Sequence, residues 1–138
     1  MTAGAPTELV VDTSVLLAVL TGEPSRDRLI VRTQGVQLLA PGSVHWEVGN
    51  ALSALLKRRK LKLAEAQAAL AAYAAIPIRL VDIELGVALE LADRFGVYAH
   101  DACLLACARS RGAALLTLDP RLGRVAHEAG VRVLEVDG

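Results

Sequence analysis

Short, unbroken apolar runs recur along the chain at Leu9-Val10-Val11 and over residues 36–40, 76–81, 113–118 and 131–136. Each is too short for a buried helix and lacks the alternation of a half-wetted strand, so each reads as a strand covered on both faces. Between them the spacing predicts helices over residues 14–20, 25–33, 43–59, 63–75, 83–94, 101–111 and 120–129, with Gly22, Gly35, Gly42, Gly96, Gly112 and Gly130 at the joints. Strands alternating with helices predict an α/β fold on a mainly parallel sheet. No internal repeat, low-complexity tract or shift of composition interrupts the pattern. Residues 1–138 therefore read as one domain, with frayed ends at about 1–7 and 137–138.

The helix over 43–59 is the most sharply marked. Pro41-Gly42 precede it, Ser43 stands where an N-cap is expected, and Val44, Val48, Leu52, Leu55 and Leu56 form its apolar stripe. Glu47 lies beside that stripe, with Asn50 and Ala51 one turn on. A carboxylate against a core-facing stripe needs a partner, because burying an unpaired charge is costly. No Lys or Arg stands in the adjacent turns.

Composition adds limits. With 54% apolar residues but only Trp46, Tyr73, Phe95 and Tyr98 as aromatics, the core must be built from Ala, Leu and Val. Fifteen basic residues balance fifteen acidic ones, so attraction for a polyanion would have to come from a local patch or a bound cation. The two cysteines, Cys103 and Cys107, lie four apart within one predicted helix and are not a disulfide framework, which fits a reducing cytoplasm. No signal peptide is visible and no apolar run nears the ~20 residues of a membrane span, so a soluble, cytoplasmic protein without membrane partners is expected.

Asp12 follows the first apolar run and Asp119 follows 113–118, which places both at the carboxyl ends of strands, where open parallel sheets bind ligands. Asp101 opens a further predicted helix. Singly, each is explained by helix capping, and Asp119-Pro120 is the expected cap followed by proline. Together with Glu47 they make a hard, anionic cluster whose repulsion a divalent ion would relieve. Carboxylates with retained waters suit Mg²⁺ or Mn²⁺, which can lower the pKa of water and hold a phosphodiester in line.

Four segments carry a resemblance: Val10-Val11-Asp12-Thr13-Ser14, Trp46-Glu47-Val48-Gly49-Asn50-Ala51-Leu52, His100-Asp101-Ala102-Cys103-Leu104-Leu105-Ala106 and Leu116-Thr117-Leu118-Asp119-Pro120-Arg121-Leu122. In this order they resemble the four motifs of PIN-domain ribonucleases, over about residues 8–135, and in particular the VapC toxins of bacterial toxin–antitoxin pairs. The resemblance implies a three-layer α/β/α sandwich, Mg²⁺- or Mn²⁺-dependent endonuclease action on RNA, a VapB-like antitoxin as partner and a homodimer. It also implies catalytic and metal-binding roles for Asp12, Glu47, Asp101 and Asp119, with Thr13, Ser14, Asn50 and Thr117 as supporting polar groups. His100 stands where the family often has Tyr, and no further acid closely follows Asp119, which bears on a second metal ion.

The run Lys57-Arg58-Arg59-Lys60 and Arg121 are candidates for RNA-backbone contact, against the plainer reading of a solvated helix end suited to its dipole. His100, Cys103 and Cys107 lack a fourth ligand for zinc, and the cysteines read as core packing. Two alternatives stand beside the nuclease: a catalytically inactive PIN-like module that binds RNA or protein, and a haloacid-dehalogenase-like phosphatase. The phosphatase would need an Asp two places after Asp12, where Ser14 stands.

Overall fold

In a computed structural model that describes residues 7–136, the apolar runs lie side by side as buried strands should. The strands β1 (Glu8–Val11), β2 (Gln37–Pro41), β3 (Ile78–Val81) and β4 (Ala114–Leu116) form a sheet in the order β3-β2-β1-β4, and every pairing is parallel. The helices are α1 (Thr13–Leu20), α2 (Arg26–Thr33), α3 (Val44–Lys57), α4 (Leu63–Ala75), α5 (Leu85–Phe95), α6 (Ala99–Arg111) and α7 (Pro120–Glu128).

Alternation of strand side chains divides the core into two layers. Leu9, Val11, Ala40, Ala114 and Leu116 point to one face, where α1 to α4 contribute Val15, Leu29, Val44, Val48 and Ala69. Val10, Leu39 and Leu115 point to the other, against Leu91, Leu104, Leu105 and Leu122 of α5 to α7. The result is the expected three-layer α/β/α sandwich, and because both faces are covered its strands need no polar alternation.

β3 starts two residues into its run, and two other runs fall further short of the strands they suggest. Residues 113–118 yield only β4, because the N–H groups of Leu118 and Asp119 are taken by side chains, Ser14 Oγ at 3.0 Å and Thr117 Oγ1 at 3.0 Å. Residues 131–136 then face too short a neighbour to form a fifth strand. They reach the sheet through one parallel bridge, Leu115 to Val133, with Leu115 N–H on Arg132 O at 2.8 Å and Leu134 N–H on Leu115 O at 2.9 Å.

Gly112 ends α6 in the left-handed conformation (φ 60°) that favours glycine, and so turns the chain directly into β4. The expected frayed ends lie outside the described residues except for Thr7, whose carbonyl accepts the Gln37 N–H at 3.0 Å.

Candidate active site

The sheet register builds the first half of the site. Val11 pairs with Leu116, so the residues that follow, Asp12 and Thr117, leave adjacent strands side by side. Thr117 Oγ1 donates a short hydrogen bond to Asp12 Oδ2. Asp12 Oδ1 accepts from Ser14 Oγ at 2.5 Å and, as N-cap of α1, from the Val15 N–H at 3.2 Å. A carboxylate offers about four lone-pair sites, so three bonds leave one, on Oδ2. Asp12 is 5% exposed, the one charged side chain in the buried class among the described residues. Burial pushes its carboxyl above the usual range; the hydrogen bonds from Ser14, Thr117 and Val15 pull it down, and the Asp119 charge adds to the upward push. Of the two hydroxyls that follow Asp12, Ser14 is the one that engages it. The Thr13 Oγ1 is buried without a hydrogen-bond partner.

Asp119 caps α7 by accepting the Arg121 N–H at 2.9 Å, with Pro120 at the first turn, as the sequence suggests. Asp101 departs from expectation: α6 begins at Ala99 with Tyr98 in the cap position, so Asp101 sits inside the first turn. Extended backbone at Tyr98, with ψ of 163°, places the helix start two residues earlier than the apolar pattern implies. Burial raises the Asp101 carboxyl, Asp119 and Glu47 push it further up, and His100 and Arg121 pull it down. Arg121 Nη2 lies 3.9 Å from Asp101 Oδ2, a long bridge with 68% of the arginine side chain exposed. This guanidinium, 20 residues along the chain, pairs with Asp101, and no ion pair to Glu47 is seen among the described residues.

Glu47 is half-buried in the first turn of α3. Asn50, one turn on, is exposed, and its carbonyl accepts from Ser53. Ser43 departs from its expected role, since it makes no side-chain cap bond to α3 and its Oγ stands 3.0 Å from His100 Nδ1. Lys57, Arg58, Arg59 and Lys60 are exposed at the far end of α3, about 15 Å from Glu47 at 1.5 Å per residue. Cys107 is buried in the core, which pushes its thiol up to about 11, and Cys103 packs beside the same layer.

Two aromatic groups of this corner escaped sequence reasoning. Trp46, next to Glu47, is 72% exposed, and Tyr98, three residues before Asp101, is 84% exposed. Trp46 opens one motif segment and Tyr98 stands two residues before another, and an aromatic ring so close to a candidate acidic residue need not belong to the core.

The donor set suits a hard divalent cation: carboxylate oxygens that raise one another's proton affinity, with hydroxyls in support. Among the described residues no three acidic, imidazole or thiol groups already converge as a cage. Mg²⁺ does not require one, since it retains several waters and is held by one or two carboxylates together with substrate phosphate. Asp12, with its last free lone pair, Asp119, Asp101 and Glu47 are the residues that could hold such an ion.

Comparisons with known proteins agree with this architecture. Residues 9–128 match the sequence model of the PIN domain. PAE2754 from Pyrobaculum aerophilum is 24% identical over 95% of this chain and 92% of its own, with a TM-score of 0.69. VapBC2 from Rickettsia felis, solved bound to a DNA fragment from its promoter, matches at 16% identity over 93% of this chain and 97% of that one, with a TM-score of 0.64. No curated protein sequence matches the chain.

Proposed function

The chain belongs to the PIN domain family, whose members are generally nucleases, and on that premise we propose that it is a Mg²⁺- or Mn²⁺-dependent endoribonuclease formed by residues 1–138 as one domain. The observation that carries the reading is the buried Asp12 carboxylate at the end of β1, held by three hydrogen bonds with one lone pair free, with Asp119 pushing the proton affinity of both it and Asp101 upward and Glu47 acting on Asp101. A bound divalent ion supplies a water of lowered pKa and neutralises charge at the scissile phosphate. Asp12, Glu47, Asp101 and Asp119 would hold that ion. Ser14 and Thr117 fix the plane of the Asp12 carboxylate from two sides, so that its free lone pair keeps one direction. Trp46 and Tyr98 offer exposed ring faces on which unpaired bases can stack, which favours single-stranded or looped RNA. Arg121 is placed to exchange its long bridge for a phosphate, and Lys57, Arg58, Arg59 and Lys60 are a more distant backbone contact.

Purified protein should cleave an unpaired RNA in Mn²⁺ and stop when EDTA is added. Equal cleavage in EDTA would sink the mechanism. The presence of all four acids weighs against an inactive module, and Ser14, which donates to Asp12, occupies the place where a phosphatase would need its second aspartate.

The likeness to a VapBC assembly supports the toxin of a toxin–antitoxin pair, a cytoplasmic protein that forms a homodimer and is held by a VapB-like antitoxin. Among the described residues no helix is long and apolar enough to cross a membrane. Expression should arrest bacterial growth, and the antitoxin should relieve the arrest. A wild type as harmless as Asp12→Ala at equal protein level removes the toxin reading and leaves the nuclease reading standing.

A further inference from the structure

Glu47 and Asp101 arrive on different helices from different parts of the chain, and Ser43 and His100 join those helices beside them. Ser43 O accepts the Glu47 N–H at 3.1 Å, Ser43 Oγ stands 3.0 Å from His100 Nδ1, and His100 is covalently next to Asp101. The path from one carboxylate-bearing residue to the other thus runs through a single side-chain hydrogen bond. Both partners give something up to make it. Ser43, at the start of α3, leaves the helix without a side-chain cap. His100 leaves Nε2 buried without a hydrogen-bond partner. Whichever ring nitrogen carries the proton, that atom is unsatisfied, and a buried polar atom left so calls for a reason.

We propose that the Ser43–His100 pair is a positioning clasp that sets the separation of Glu47 and Asp101, and through it the affinity of the site for its divalent ion. The proposal rests on the metal-dependent reading above. It assigns His100 no direct contact with the ion. Partners of this outer kind fix the orientation of ligands that touch the metal.

Mn²⁺ binding to the intact chain, measured by calorimetry, tests it, with the metal-free melting temperature recorded for every variant. Ser43→Ala and His100→Gln should each weaken Mn²⁺ about tenfold, the lower range for outer-sphere partners. The double variant should be no weaker than the worse single one, because both remove the same bond. His100→Asn, whose amide takes the place of Nδ1, should stay near wild type. Metal-free melting should move little in Ser43→Ala, which keeps the measurement meaningful if a histidine variant folds poorly. Wild-type affinity in both single variants, or losses that add in the double one, would overturn the clasp and leave the metal site intact. A wild type that binds no Mn²⁺ would overturn the clasp and the metal-dependent reading together.

Discussion

Asp12 is 5% exposed and receives three hydrogen bonds, whereas Asp101 keeps 22% of its side chain exposed and, among the described residues, meets a cation only at 3.9 Å. The two carboxylates are held by different means. The strand half of the site is fixed by sheet register: once Val11 pairs with Leu116, Asp12 and Thr117 must be neighbours. The helix half, Glu47 and Asp101, depends on how α3 and α6 pack against the sheet. On the proposed metal-dependent reading, such a site would have one rigid ligand to anchor an ion and others that can adjust around substrate. It also follows that removing charge from the two halves should have opposite effects on stability.

The largest expected effect is that of Asp12→Ala. Cleavage should fall by about 10³-fold or more, as for a group that acts within a unit. The Ser14 and Thr117 hydroxyls and the Val15 N–H lose their acceptor, so stability should drop by about 2–4 kcal/mol in chemical denaturation. A variant that keeps wild-type stability would show that those three donors find partners elsewhere.

Asp101→Asn should also abolish cleavage, yet raise the melting temperature in EDTA by about 3 °C, because it removes a repelled, partly buried charge and breaks only a long bridge. Added Mn²⁺ should stabilise wild type more than this variant. If cleavage persists and the metal-dependent shift is unchanged, Asp101 leaves the site.

Acidity sharpens the contrast. Asp12 and Asp101 both titrate above the ordinary 3.8 when folded, so the folded chain binds more protons than the unfolded chain in the interval above that value. In EDTA their contribution to stability should therefore fall as pH rises through the interval. The stabilisation brought by Mn²⁺ should grow over the same interval, since the ion requires ionised carboxylates. Melting curves collected across pH, with and without metal, should diverge upward from about pH 4. Parallel curves would mean that protons and metal do not compete. The smallest effect belongs to Arg121→Ala, which loses an exposed bridge and should alter stability by less than about 0.5 kcal/mol.

What could be read without coordinates follows from local physics. Apolar run length gave the covered strands, and position after a strand gave Asp12 and Asp119. The misread features depend on partners remote in sequence. Ser43 looks like an N-cap until His100, 57 residues away, takes its hydroxyl. The run 113–118 looks like six residues of strand until Ser14, 104 residues from Leu118, claims that N–H. Asp101 looks like a cap because polar residues favour helix starts, but His100 and Ala99 already lie within α6. Pattern reports neighbours one turn away and cannot report a hydroxyl that arrives from another element.

Trp46 is the only tryptophan in the chain, and in the folded protein it already stands largely in water. Its ring passes from water to water when the chain unfolds, so its emission is a poor gauge of denaturation, and melting is better followed by circular dichroism. The same placement makes it a built-in optical reporter of occupancy. A base laid on the ring would quench or shift its light, while His45, edge-on at 5.1 Å, leaves most of the ring uncovered. Fluorescence titration with a short RNA in EDTA, where cleavage is silent, should thus record binding apart from chemistry without any added label.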